Sequence, residues 1–92
     1  MLQIKMGLLQ GLDVSIYAKP EYHWTQMKQI RVGLKKNLNV SFYSIVDFDY
    51  FEMEEIIKGL KSNLNVSIYA KTEYKWDKME KIREKLLEES TL

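Results

Sequence analysis

Gly59-Leu60-Lys61-Ser62-Asn63-Leu64-Asn65-Val66-Ser67-Ile68-Tyr69-Ala70-Lys71 is the stretch on which the fold turns, because close variants of it begin at Gly7 and Gly33. Leu12-Asp13-Val14-Ser15, Leu38-Asn39-Val40-Ser41 and Leu64-Asn65-Val66-Ser67 keep one distance from those glycines, which sets a period of 26 residues without insertion. Met1, Met27, Met53 and Met79 align in that register, as do Ile4, Ile30, Ile56 and Ile82. Periods of this size belong to supersecondary units that bury their apolar faces against one another. The first element is present four times and the junction that follows it three times.

That first element reads as a helix. Trp24, Met27, Ile30 and Leu34 fall three and four residues apart, and Tyr50, Met53, Ile56, Leu60 and Trp76, Met79, Ile82, Leu86 repeat the spacing, so each set makes one apolar stripe. Gly11, Asn37 and Asn63 stand where the helices should stop, since Gly and Asn tolerate the left-handed conformation of a C-terminal cap. Asp49 is placed to cap the helix that begins at Tyr50.

The second element, Leu12 to Ala18 and its copies, has two readings. As a strand, its alternating Leu, Val and Ile would give a β-α repeat of leucine-rich-repeat type. As a short helix, Ser15, Ser41 and Ser67 would be its caps. The helix is favoured, because a ladder of stacked strands would align Asp13, Asn39 and Asn65, all poor strand formers. The expected fold is therefore all-α: a short solenoid-like stack of long-helix/short-helix repeats in a single domain, 1–92, with copies starting near Met1, Met27, Met53 and Met79. Tyr22, Phe48 and Tyr74 in the connectors should turn inward.

The segments Gln26-Met27-Lys28-Gln29-Ile30-Arg31-Val32-Gly33-Leu34 and Leu12-Asp13-Val14-Ser15-Ile16-Tyr17-Ala18-Lys19-Pro20-Glu21-Tyr22 carry a resemblance. They look like the tandem helical repeat of uncharacterised proteins from Firmicutes and their mobile elements. The resemblance spans essentially the whole chain and transfers no activity. The middle copy departs most, with Ser44-Ile45-Val46-Asp47-Phe48 in place of Ala-Lys-Pro/Thr-Glu-Tyr.

A glycine inside a helix costs about 1 kcal/mol relative to alanine, so Gly7, Gly33 and Gly59 imply close approach by a neighbouring repeat. At the equivalent place the fourth copy has Lys85, and Glu89 replaces the capping Gly or Asn, which reads as the capped end of the stack. The first helix lacks such a cap. Leu2, Met6 and Leu9 make it unusually apolar, and a possible homodimer through this N-terminal helix is the sharper of two readings, the other being ordinary core contact.

Composition narrows the function classes. A chain of 92 residues buries only about 60–65% of its unfolded surface. Its net charge of +1 favours no strongly polyanionic partner. Cysteine is absent, so thiolate metal sites and a cysteine nucleophile are excluded. No apolar run approaches a membrane span and no signal peptide opens the chain, which points to a cytoplasmic protein of bacterial or phage type. His23, the one histidine, aligns with Asp49 and Lys75 and marks a variable exposed position. Ser15, Ser41 and Ser67 have no adjacent base. No catalytic, metal or cofactor site is assigned. The aromatics that recur at the period, Trp24, Tyr50 and Trp76 among them, are expected in the core.

Charge is uneven along the chain. Residues 1–38 carry six basic and two acidic side chains, residues 39–55 five acidic and no basic ones, and residues 56–92 eight basic and six acidic ones. The acidic block is Asp47, Asp49, Glu52, Glu54 and Glu55. In the same copy Ile45 and Val46 replace Lys19-Pro20 and Lys71-Thr72, Phe51 replaces Thr25 and Asp77, and Ile57 replaces Arg31 and Arg83. Positions polar in two copies should be exposed in the third, so Ile45, Val46, Phe51 and Ile57 are candidates for an apolar patch rimmed by the acidic block. Burial between repeats is the competing fate. The expected function is a non-enzymatic protein-interaction module. Given the mobile-element resemblance, one form of it is a phage- or plasmid-encoded inhibitor of a host system. The alternative is nucleic-acid binding through Lys35, Lys36, Lys58 and Lys61 at the helix ends.

Overall fold

A computed structural model describes residues 2–90; Met1, first of the aligned methionines, lies outside them. The described chain is all-helical. Four α-helices, α1 (Leu2–Leu9), α2 (Trp24–Lys35), α3 (Tyr50–Lys61) and α4 (Trp76–Ser90), alternate with single 3-10 turns at Val14–Ile16, Val40–Phe42 and Val66–Ile68. No strand occurs among the described residues, so the β-α alternative is discarded. The principal packing runs between helices adjacent in sequence and between each of α1 to α3 and the turn that follows it. The result is a slab with extents of 42 × 24 × 15 Å.

Local chemistry sets the ends of these elements. Asn37 and Asn63 adopt a positive φ of 58°, and Gly11 one of 71°. The next amide then folds back: Leu38 N–H donates to the Gly33 carbonyl at 2.9 Å and Leu64 N–H to the Gly59 carbonyl at 3.0 Å. This satisfies carbonyls that the helix end leaves free. Asp49 and Glu52 form a reciprocal capping box on α3, as the sequence led us to expect for Asp49. His23 and Gln26 form the same box on α2, which the residue types did not announce.

The 3-10 turns correct the expected caps. Asp13 and Asn39, not Ser15 and Ser41, cap them: each side chain accepts the serine N–H two residues on at 3.2 Å. Asn65 accepts only the Ser67 hydroxyl. Short polar side chains that bond their own backbone two residues later favour turns over strands, which is why these positions resist a ladder.

The core is built around three tyrosines. Tyr17, Tyr43 and Tyr69 are fully buried and donate their hydroxyls to the carbonyls of Gln3, Gln29 and Glu55 at 2.7, 2.8 and 2.7 Å. Each acceptor lies one helical turn before Gly7, Gly33 or Gly59. A Cβ on any of these glycines would collide with the tyrosine hydroxyl and crowd Val14, Val40 or Val66. The close approach inferred from the glycines is therefore real, but it comes from the turn that follows each helix and not from a neighbouring repeat. Met27, Ile30, Met53, Ile56 and Met79 fill the space between helices. Tyr22 and Phe48 turn inward as expected, while Tyr74 is half-buried.

One core expectation fails. Trp24 and Trp76, the first residues of their helices, are 51% and 45% exposed, and Tyr50 is half-buried. The apolar stripe runs past the end of the core at the first turn of each helix, so the rings emerge on the surface.

Replacing Gly33 with alanine should raise helix propensity by about 1 kcal/mol yet destabilise the protein by roughly 1–3 kcal/mol net, because overpacking against Tyr43 and Val40 outweighs it. Urea denaturation followed by circular dichroism checks the sign.

Candidate functional site

The positions where the copies differ separate into two groups. Ile45 and Val46, in the loop before α3, are exposed, and Phe51 is 58% exposed. Ile57 is only 4% exposed and is thereby corrected from surface to core. The inference failed because its polar counterparts are themselves covered. Arg31 is buried, with its Nε donating to Gln3 Oε1 at 2.7 Å, and Arg83 Nε pairs with Glu55 Oε1 at 3.2 Å. At Arg31 and Arg83 the position reaches the preceding helix, in the middle copy a buried isoleucine replaces the arginine, and in the first copy Lys5 is exposed there.

The acidic block also thins. Glu52 is buried in its capping box, and Glu55 is buried between Arg83 and Lys58, the latter at 3.8 Å. Neither belongs to a surface rim. Glu54 is half-buried and reaches Lys58 at 3.9 Å. Asp47 and Asp49 remain exposed.

These exposed residues adjoin the emergent rings. Phe51 lies 6.3 Å from Trp76, centroid to centroid, and meets Tyr50 edge-on at 5.4 Å. Trp24, Thr25, Lys28, Tyr50 and Phe51 line a groove of about 390 Å3. A second groove of about 390 Å3 shares Thr25, Tyr50 and Phe51 and continues past His23 and Val46 to Asp47 and Asp49. The first turns of α2, α3 and α4 thus present one aromatic face, on which Phe51 lies beside Trp76 and shares a groove with Trp24, where the other copies have Thr25 and Asp77. The sequence predicts exposure for Phe51, Ile45 and Val46, which the structure shows, but places Trp24 and Trp76 inside.

The loops behind this face are tied on one side only. Gln26 Nε2 donates to the Val46 and Phe48 carbonyls at 3.0 and 2.6 Å, and the Tyr22 hydroxyl donates to the Ser44 carbonyl at 2.8 Å. These bonds hold Val46 against α2. One copy later Glu52 and Phe48 occupy the places of Gln26 and Tyr22, and they lack the amide N–H and phenol O–H that make those bonds.

Two other surfaces were expected from the sequence. Leu2 and Leu9 are exposed, with Met6 half-buried between them. At the helix C-termini, Lys36 and Lys61 approach each other. A hydrogen bond from Lys36, which favours Lys61 as a neutral acceptor, then burial and the repulsion of the Lys36 charge, pull Lys61 below its ordinary 10.5. No helix among the described residues is long and apolar enough to cross a membrane. No protein-family model, curated protein or solved structure matches the chain.

Ile57→Asp should destabilise the fold by several kcal/mol, since it buries a carboxylate in the core, whereas Phe51→Asp should change stability by less than about 0.5 kcal/mol. Thermal melts of the two variants test the assignment.

Proposed function

We propose that the chain is a non-enzymatic protein-interaction module, built as a short solenoid-like stack of period 26, that takes its partner on the aromatic face. Support for the stack comes from the three tyrosine hydroxyl bonds, which recur at that interval, and from packing that runs between sequence neighbours. The observation that carries the function is the contiguity of Trp24, Phe51 and Trp76 on the outside of a small domain. Exposed aromatic and aliphatic residues with a charged edge are the composition of interaction sites, and large aromatics dominate their energetics. A phage- or plasmid-borne inhibitor of a host system is one concrete form of this reading.

A second reading, nucleic-acid binding, draws on the juxtaposition of Lys36 and Lys61. Against it, Lys58 is engaged by Glu54 and Glu55, and flow-through on a polyanion column at low salt would remove it.

The test of the first reading is affinity capture from cells with the wild-type chain and with Phe51→Asp combined with Trp76→Ala. Partners captured by the wild type should fall at least tenfold with the double variant while its circular dichroism stays unchanged. Undiminished capture by a folded double variant rejects the aromatic face.

A further inference from the structure

The two grooves on the aromatic face carry opposite charges at their separate ends. Thr25, Tyr50 and Phe51 line both. Asp47 and Asp49 line only one, and Lys28 lines only the other. Among the described residues, the side chains of Asp47 and Lys28 make no hydrogen bond or ion pair, so both charges stand unneutralised beside apolar surface. Asp49 gives one carboxylate oxygen to the cap of α3, which anchors its position. Each groove, at about 390 Å3, is within the size range of a binding site for a small group.

We infer that the paired grooves hold a short peptide segment of a partner protein, with a basic side chain at Asp47 and Asp49, an apolar or aromatic one over Phe51, and an acidic one at Lys28. This inference rests on the protein-binding reading above and adds the chemistry and polarity of what is bound. Complementary charges at the rim set register and suppress wrong partners, while the buried aromatic contact supplies most of the affinity. Polyanions fit poorly, because two carboxylates flank the apolar centre and repel phosphate. A peptide with a single sign of charge would satisfy one end and be repelled at the other. The held conformation of the 44–48 loop suits this use: bonds from Tyr22 and Gln26 fix the backbone that presents Val46 and Asp47.

The test begins with a random dodecapeptide library displayed on phage and selected against the immobilised full chain. Selected sequences are then made as synthetic peptides. Binding is read by fluorescence of the two tryptophans, Trp24 and Trp76, both on this face. The expected consensus has a basic residue and an acidic residue on either side of an apolar or aromatic one. Its binding should be abolished by Phe51→Asp and weakened about threefold to fivefold by Asp47→Asn with Asp49→Asn, since asparagine keeps the capping acceptor but removes the charge. Lys28→Glu should weaken it comparably and shift selection toward peptides basic at both ends. Selected peptides that need Phe51 but lack the charge pattern, or that bind the Asp47→Asn/Asp49→Asn variant equally well, overturn this inference and leave the protein-binding reading standing. Failure to enrich any Phe51-dependent peptide overturns both.

Discussion

A tyrosine hydroxyl that donates to a helix carbonyl one turn before a glycine is the contact on which the rest of this structure depends. The glycine removes the Cβ that would otherwise cover that carbonyl, so a ring from the following turn can lie against the helix backbone. Three such contacts join Tyr17 to Gln3, Tyr43 to Gln29 and Tyr69 to Glu55. Each couples a fully buried aromatic to a satisfied hydroxyl. The hydrogen bond contributes a net of about 0.5–1.5 kcal/mol and would cost more if left unmade, while burial of the ring contributes a few kcal/mol. The 3-10 turn places the ring, and the Asx bonds of Asp13 and Asn39 place the turn. Where the glycine becomes Lys85, no following turn is present among the described residues and α4 runs on to Ser90.

With the shared residues committed to this scaffold, the differences between copies are free to shape the surface. They do so unevenly. The position of Arg31, Ile57 and Arg83 serves packing in these three copies, through a hydrogen bond to Gln3, burial in the core, and an ion pair to Glu55. The position of Thr25, Phe51 and Asp77 opens outward, and there one phenylalanine lies beside Trp76 and shares a groove with Trp24.

Much of the fold was legible in the sequence, for physical reasons that can be named. The three-and-four spacing of Met27, Ile30 and Leu34 has only a helical solution, and Asn37 and Asn63 stop helices because they accept a positive φ. The contents of the candidate site were harder to read. Polarity in two copies predicts exposure, but an arginine can be covered when its guanidinium finds a partner, as Arg31 and Arg83 do. Apolar periodicity predicts burial, but a stripe does not say where the core ends, so Trp24 and Trp76 come out on the surface. The capping role of His23 is hard to read because histidine is not among the usual N-cap residues, although Asp49 at the aligned position is.

Alkaline titration probes the tyrosine contacts most directly. Burial raises Tyr17, Tyr22, Tyr43 and Tyr69 above the ordinary 10.0. A raised folded value means that the stabilisation is fully present below pH 10 and is lost as pH climbs beyond it, by about 1.4 kcal/mol per pH unit for each such tyrosine. Absorbance at ~295 nm, where tyrosinate absorbs, recorded with circular dichroism, should show these four hydroxyls ionising only as the helices melt together in one cooperative step. Ionisation of all six tyrosines around the ordinary value, with the helical signal unchanged, would contradict the account.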